Sequence, residues 1–115
     1  MNAVEPEVLG SLAALMPRAE LLSIAETFRT DLRRLGTEAE VGAAAGDVAA
    51  YRRAAHALAG TAAGVGARRL EAVARRAMDP RNTESPAMIA ALIRQEVEAA
   101  CEEIARLGAE LPTAE

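Results

Sequence analysis

A chain of 115 residues, 51% hydrophobic but only 2% aromatic, is long enough for one domain with an aliphatic core. A net charge of −4 argues against general nucleic-acid affinity, which calls for a basic surface. No apolar run reaches the roughly eighteen residues of a membrane span, and Glu5 and Glu7 stand where a secretion leader would be basic.

Helical periodicity fills nearly the whole chain, and no strand alternation competes with it. A short first helix is predicted over about 6–16, with Pro6 suited to its first turn. A second spans about 17–44, where Leu21, Ile24, Phe28, Leu32, Leu35 and Ala39 form a stripe at spacings of three and four. Gly36 and Gly42 each weaken that helix by about 1 kcal/mol relative to alanine, which blurs its C-terminal end. Gly46-Asp47 reads as a stop followed by an N-cap. The third helix, about 47–65, then turns Val48, Tyr51, Ala55, Leu58, Ala62 and Val65 inward.

A fourth helix, about 67–79, carries Leu70, Val73, Ala74 and Ala77 and stops before Pro80. Ser85-Pro86 opens the last, about 86–108, with Ile89, Leu92, Val97, Ala100, Ile104 and Leu107 inward and a frayed tail after Gly108. Cys101, the single cysteine, excludes an internal disulfide and falls beside this stripe as a buried thiol. Short connections favour antiparallel neighbours. The expected fold is all-α: one domain over residues 1–115, an up-down-up-down four-helix bundle with the first helix as a cap.

His56 is the only histidine, and histidine is the side chain whose charge change lies nearest neutral pH and whose neutral ring nitrogen is a nucleophile. At about 100° per residue it lies roughly 130° from the centre of its helix's buried stripe, so it faces solvent. Ala59, Gly60 and Ala63 follow at three, four and seven positions and leave a cleared surface beside the ring. A glycine inside a helix costs stability, and close approach of another protein would account for Gly60. With one histidine and one cysteine, a conventional zinc site lacks ligands, and no second acid or base accompanies His56 to make an independent enzyme.

The pattern His56-x-Leu58-x-Gly60-Thr61, followed by Gly66-Ala67 and Leu70, resembles the histidine-containing phosphotransfer (Hpt) domain, whose motif is His-x-Leu-Lys-Gly-Ser/Thr. Phe28-Arg29-Thr30-Asp31 is similar to the family's Phe-x-x-Asp segment, and Gly46-Asp47 with Arg53-Ala54-Ala55 matches the approach to its histidine. The resemblance covers about residues 5–107. It implies a cytoplasmic, monomeric phosphocarrier without ATP-dependent kinase activity. His56 would take a phosphoryl group through Nε2 from a receiver-domain aspartyl phosphate and pass it to another receiver. The receivers would be those of response regulators or hybrid histidine kinases. It implies no cofactor in this chain, the Mg²⁺ being expected on the receiver, and neither a nucleic-acid nor a membrane partner.

One departure stands out. The family's lysine is Ala59 here, and all thirteen basic residues are arginine. A long side chain at 59 would lean back over His56, whereas Arg52 and Arg53, one turn earlier, lean away. Arg52 or Arg53 bending in, or Arg69 or Arg76 reaching across from the fourth helix, are the candidates to hold the phosphoryl group, with Arg53, Arg69 and Arg76 as first choices, unless a partner supplies the charge. Arg52 and Arg53 would also steer an acidic receiver site toward an acidic protein. Docking is expected to involve Arg52, Arg53, Ala59, Gly60, Ala63 and exposed members of the set Leu9, Leu12, Leu15 and Met16, with Leu12 and Met16 as first choices. The missing lysine motivates an alternative, an Hpt-like module that holds a receiver without efficient transfer. A third reading, the histidine-bearing substrate domain of a chemotaxis-type kinase, is less attractive for a 115-residue chain starting at Met1.

Overall fold

In a computed structural model that describes residues 2–115, five helices follow one another: α1 (Pro6–Ala13), α2 (Arg18–Ala45), α3 (Val48–Val65), α4 (Arg68–Met78) and α5 (Pro86–Glu110). Their ends have local causes. Gly46 and Gly66 take the left-handed backbone, φ +70° and +82°, and so close α2 and α3 where a side chain would be strained. Asp47 accepts a 3.0 Å hydrogen bond from the Ala50 amide, and Ser85 a 3.1 Å bond from that of Met88. The first helix stops at Ala13, three residues before the expected end, and residues 14–16 form a turn.

Helices α2 to α5 close a ring in which α2 packs on α3 and α5, and α4 on α3 and α5. Along α2, Arg33 reaches Glu98, Gly36 faces Val97 and Glu40 reaches Arg94, so α2 and α5 run in opposite senses. Leu32, Leu58, Leu70, Ile93 and Ile104 fill the space between them, fully buried. The small α1 sits across one end, where Leu9 is buried and the Glu5 amide donates to the Gly66 carbonyl at 2.9 Å.

Gly36 and Gly42 do not end α2. Both are buried, and each lets a neighbouring helix approach: a Cβ at Gly36 would meet Val97 at 3.2 Å. The helix cost of glycine is thus offset by packing. Val48 departs from its expected place in the core. It is 50% exposed, bordering an open cleft beside the segment that joins α4 to α5. Ile24, Phe28 and Leu92 are only half-buried, whereas Ala25, Ala54 and Ile93, outside the expected stripes, are buried; Cys101 is buried as expected.

The tail is not frayed. Helix α5 continues to Glu110, the Ala114 amide donates to the Met16 carbonyl at 3.0 Å, and the Arg18 guanidinium to that of Gly108 at 2.9 Å. Glu115 accepts from the Arg18 amide at 3.2 Å, which gives α2 the side-chain cap that Pro17 cannot supply.

Candidate functional site

His56 stands halfway along α3 and is exposed. Its helix turns Tyr51, Ala54, Ala55, Leu58, Ala62 and Val65 into the bundle, and the imidazole lies on the opposite side. Mid-helix amides are already hydrogen-bonded within the helix, so no backbone N–H is free to cradle an anion there. Whatever charge the ring carries must be met by side chains, solvent or a partner.

Around the ring the surface is cleared, though not by all the residues expected. Gly60 is exposed and Ala63 half-buried, but Ala59 is 3% exposed and belongs to the core. Its place on the docking surface is therefore corrected. With α2 on one side of α3 and α4 on the other, the buried sector is wider than a single stripe, and Ala59 lies within its edge. Gly60 and Gly64 behave unlike the glycines of α2. A Cβ added at either would meet nothing within 4 Å, so no contact inside this chain requires them.

The thirteen arginines divide sharply. Arg69 donates from Nε to Glu96 on α5 at 3.0 Å, and Arg76 donates to Glu84, with one bond of 3.0 Å. That pairing holds the Glu84 carboxyl below its usual range. Both arginines named as phosphate candidates on α4 are thus engaged in fastening α4 to α5 and the segment before it. Arg18 bonds the Gly108 carbonyl, and every remaining arginine but two pairs with a carboxylate. The two are Arg52 and Arg53. Among the described residues they have neither hydrogen bond nor ion pair, and both are exposed.

An apolar groove of about 450 Å³ runs between α2 and α3, lined by Leu35, Val41, Ala45, Ala54 and Ala57 with Arg53 at its rim. Sequence periodicity does not reveal it. Val41, 62% exposed, falls off the stripe of α2 and has no signal of its own beyond being apolar on a polar face. At the α1 end the expected docking pair is partly withdrawn: Leu12 packs against the core and Met16 is half-buried. Leu15, 79% exposed, is the open apolar side chain of that set.

Cys101 is buried, its thiol 3.8 Å from the Arg29 carbonyl, and burial pushes its pKa up. That disfavours a thiolate nucleophile. Among the described residues no group of three or more His, Cys, Asp or Glu side chains could hold a metal ion, and no helix is long and apolar enough to cross a membrane.

The model of the Hpt domain family matches residues 23–107. No curated protein and no solved structure matches the chain. The matched span takes in most of α2 and all of α3 and α4, and reaches the last turn of α5, with His56 near its middle. On that match, and with a helical bundle presenting His56 to solvent, the chain belongs to the Hpt domain family.

Proposed function

We propose that this chain carries phosphoryl groups between receiver domains on His56. Hpt domains mediate phosphotransfer in phosphorelays as carrier modules, not kinases. In the forward step the lone pair of neutral His56 Nε2 forms an N–P bond with the phosphoryl group of a receiver's aspartyl phosphate. The acyl P–O bond breaks and its electron pair leaves with the aspartate carboxylate. In the second step a carboxylate of another receiver attacks phosphorus, and imidazole leaves neutral. The Mg²⁺ and acidic groups belong to the receiver, and this chain works as a cytoplasmic monomer with no cofactor of its own.

The observation that carries this reading is the open face around His56. An exposed imidazole stands in mid-helix beside Gly60 and Gly64, two helix-weakening residues for which the fold itself has no use. A partner surface that must approach the ring closely gives them one. The test is to mix the protein with phosphorylated receivers. Acid-labile, base-stable phosphate should appear on it, disappear in His56→Gln, and chase onto a second, unphosphorylated receiver.

A second reading has its own observation. With Ala59 buried and no lysine in the chain, the family's cation is missing from its usual place. On that reading the bundle holds a receiver without efficient transfer. Binding of a receiver without label transfer in the same assay would decide for it. Label arriving directly from an ATP-loaded kinase domain, with no receiver present, would instead mark a kinase substrate domain.

A further inference from the structure

A phosphoryl group on His56 would be a multiply charged anion on an acidic protein, and three routes to neutralising it within the chain are closed. The backbone amides of α3 are used in the helix. Ala59 is buried and carries no charge. Arg69 and Arg76 are held by Glu96 and Glu84. Arg52 and Arg53 remain, exposed and without a hydrogen bond or ion pair among the described residues.

Their placement around the helix suits the task. From His56, Arg52 is displaced by about 40° to one side and Arg53 by about 60° to the other, one turn toward the N-terminus. Helical side chains lean N-terminally, so the imidazole leans over the turn that bears these two residues, and each guanidinium, whose stem leans away by the same rule, turns back along its length to meet it. Each arginine also borders a cleft whose acids are already taken. Arg53 shares the α2–α3 groove with Glu38, which pairs with Arg34, and with Asp47, which caps α3. Arg52 shares a smaller cleft with Asp79 and Glu84, which pair with Arg81 and Arg76. Among the described residues no carboxylate pairs with either guanidinium.

We propose that Arg52 and Arg53 together replace the missing lysine, flanking a phosphoryl group on His56 Nε2 from its two sides. The proposal rests on the carrier reading and names the positioning residues of that site. Planar guanidinium groups offer paired N–H donors to phosphate oxygens, and their long stems can rise from the preceding turn to meet them. Because the pair acts from solvent, its effect is modest and sensitive to salt.

The test loads His56 with phosphoramidate as donor and follows the phosphorus NMR signal of the phosphohistidine against pH. Wild type, the Arg52→Gln/Arg53→Gln double variant and the Arg52→Lys/Arg53→Lys double variant are compared. Both positions are exposed, and circular dichroism checks that each variant folds. Cations beside the phosphoryl group favour its more charged form, so its last ionisation should fall at lower pH in wild type than in the glutamine variant, by about half a unit. The lysine variant should retain most of that difference, and molar salt should shrink it. With a receiver present, the glutamine variant should also hold about two- to fivefold less phosphate at equilibrium, the range that exposed ion pairs support. Phosphohistidine that forms normally but ionises at the same pH in all three proteins overturns this proposal alone. Failure of both phosphoramidate and phosphorylated receivers to label wild-type His56 overturns the carrier reading and this proposal with it.

Discussion

Gly42 on α2 lies so close to Tyr51 on α3 that a Cβ at the glycine would stand 2.7 Å from the Tyr51 backbone nitrogen. Backbone cannot step aside as a flexible side chain can. Gly42→Ala gains about 1 kcal/mol of helix propensity but forces α2 and α3 apart at about 1–3 kcal/mol, so a net loss is expected. Urea unfolding of the variant should show a lower midpoint with an unchanged slope.

Gly60 is the opposite case. A Cβ there meets nothing, so Gly60→Ala should stabilise the protein by about 0.5–1 kcal/mol. If a receiver approaches the His56 face closely, the same variant should transfer phosphate more slowly. Unchanged transfer kinetics in a more stable protein would show that the contact lies elsewhere.

Restoring the family's lysine is not a surface substitution in this chain. Ala59 is buried, and a lysine there must carry its stem out past the neighbouring helix. Ala59→Lys should therefore cost about 1–3 kcal/mol in unfolding experiments while changing the lifetime of phosphohistidine or the rate of transfer. No change in either kinetic quantity would mean that other groups already neutralise the phosphoryl group.

Cys101 should be silent toward thiol reagents in the native state. Its side chain is buried and burial raises its pKa, so little thiolate forms and reagent cannot reach it. At pH 8 a chromogenic disulfide reagent should react only as fast as the protein opens, and at once in denaturant. Rapid native labelling would contradict the packing of α5.

The loop before α5 should loosen in acid. Hydrogen bonding from Arg76 holds the Glu84 carboxyl below its ordinary 4.5. A group depressed in the folded state contributes its full stability above its unfolded pKa and loses it as pH falls through the folded value. Stability lost below about pH 4.5 should therefore be smaller in Glu84→Gln than in wild type, measured by chemical denaturation at stepped pH.

Five helices, their caps at Asp47 and Ser85, and the solvent-facing phase of His56 were legible in the sequence because each depends on residues a few positions apart. Helical period, N-cap chemistry and the left-handed glycine are local physics. What lies between helices is not. Tertiary structure alone decided that Ala59 is covered and Gly60 open, since one residue of rotation on α3 meets a neighbouring helix or solvent according to where that neighbour packs. It also decided that Gly42 is a contact and not a weakness, and that Glu115 caps α2 from the far end of the chain. The arginines show the same division. The sequence singles out Arg52, Arg53, Arg69 and Arg76 by their nearness to His56, but only the arrangement of carboxylates in space engages Arg69 and Arg76 and leaves Arg52 and Arg53 without an ion pair among the described residues.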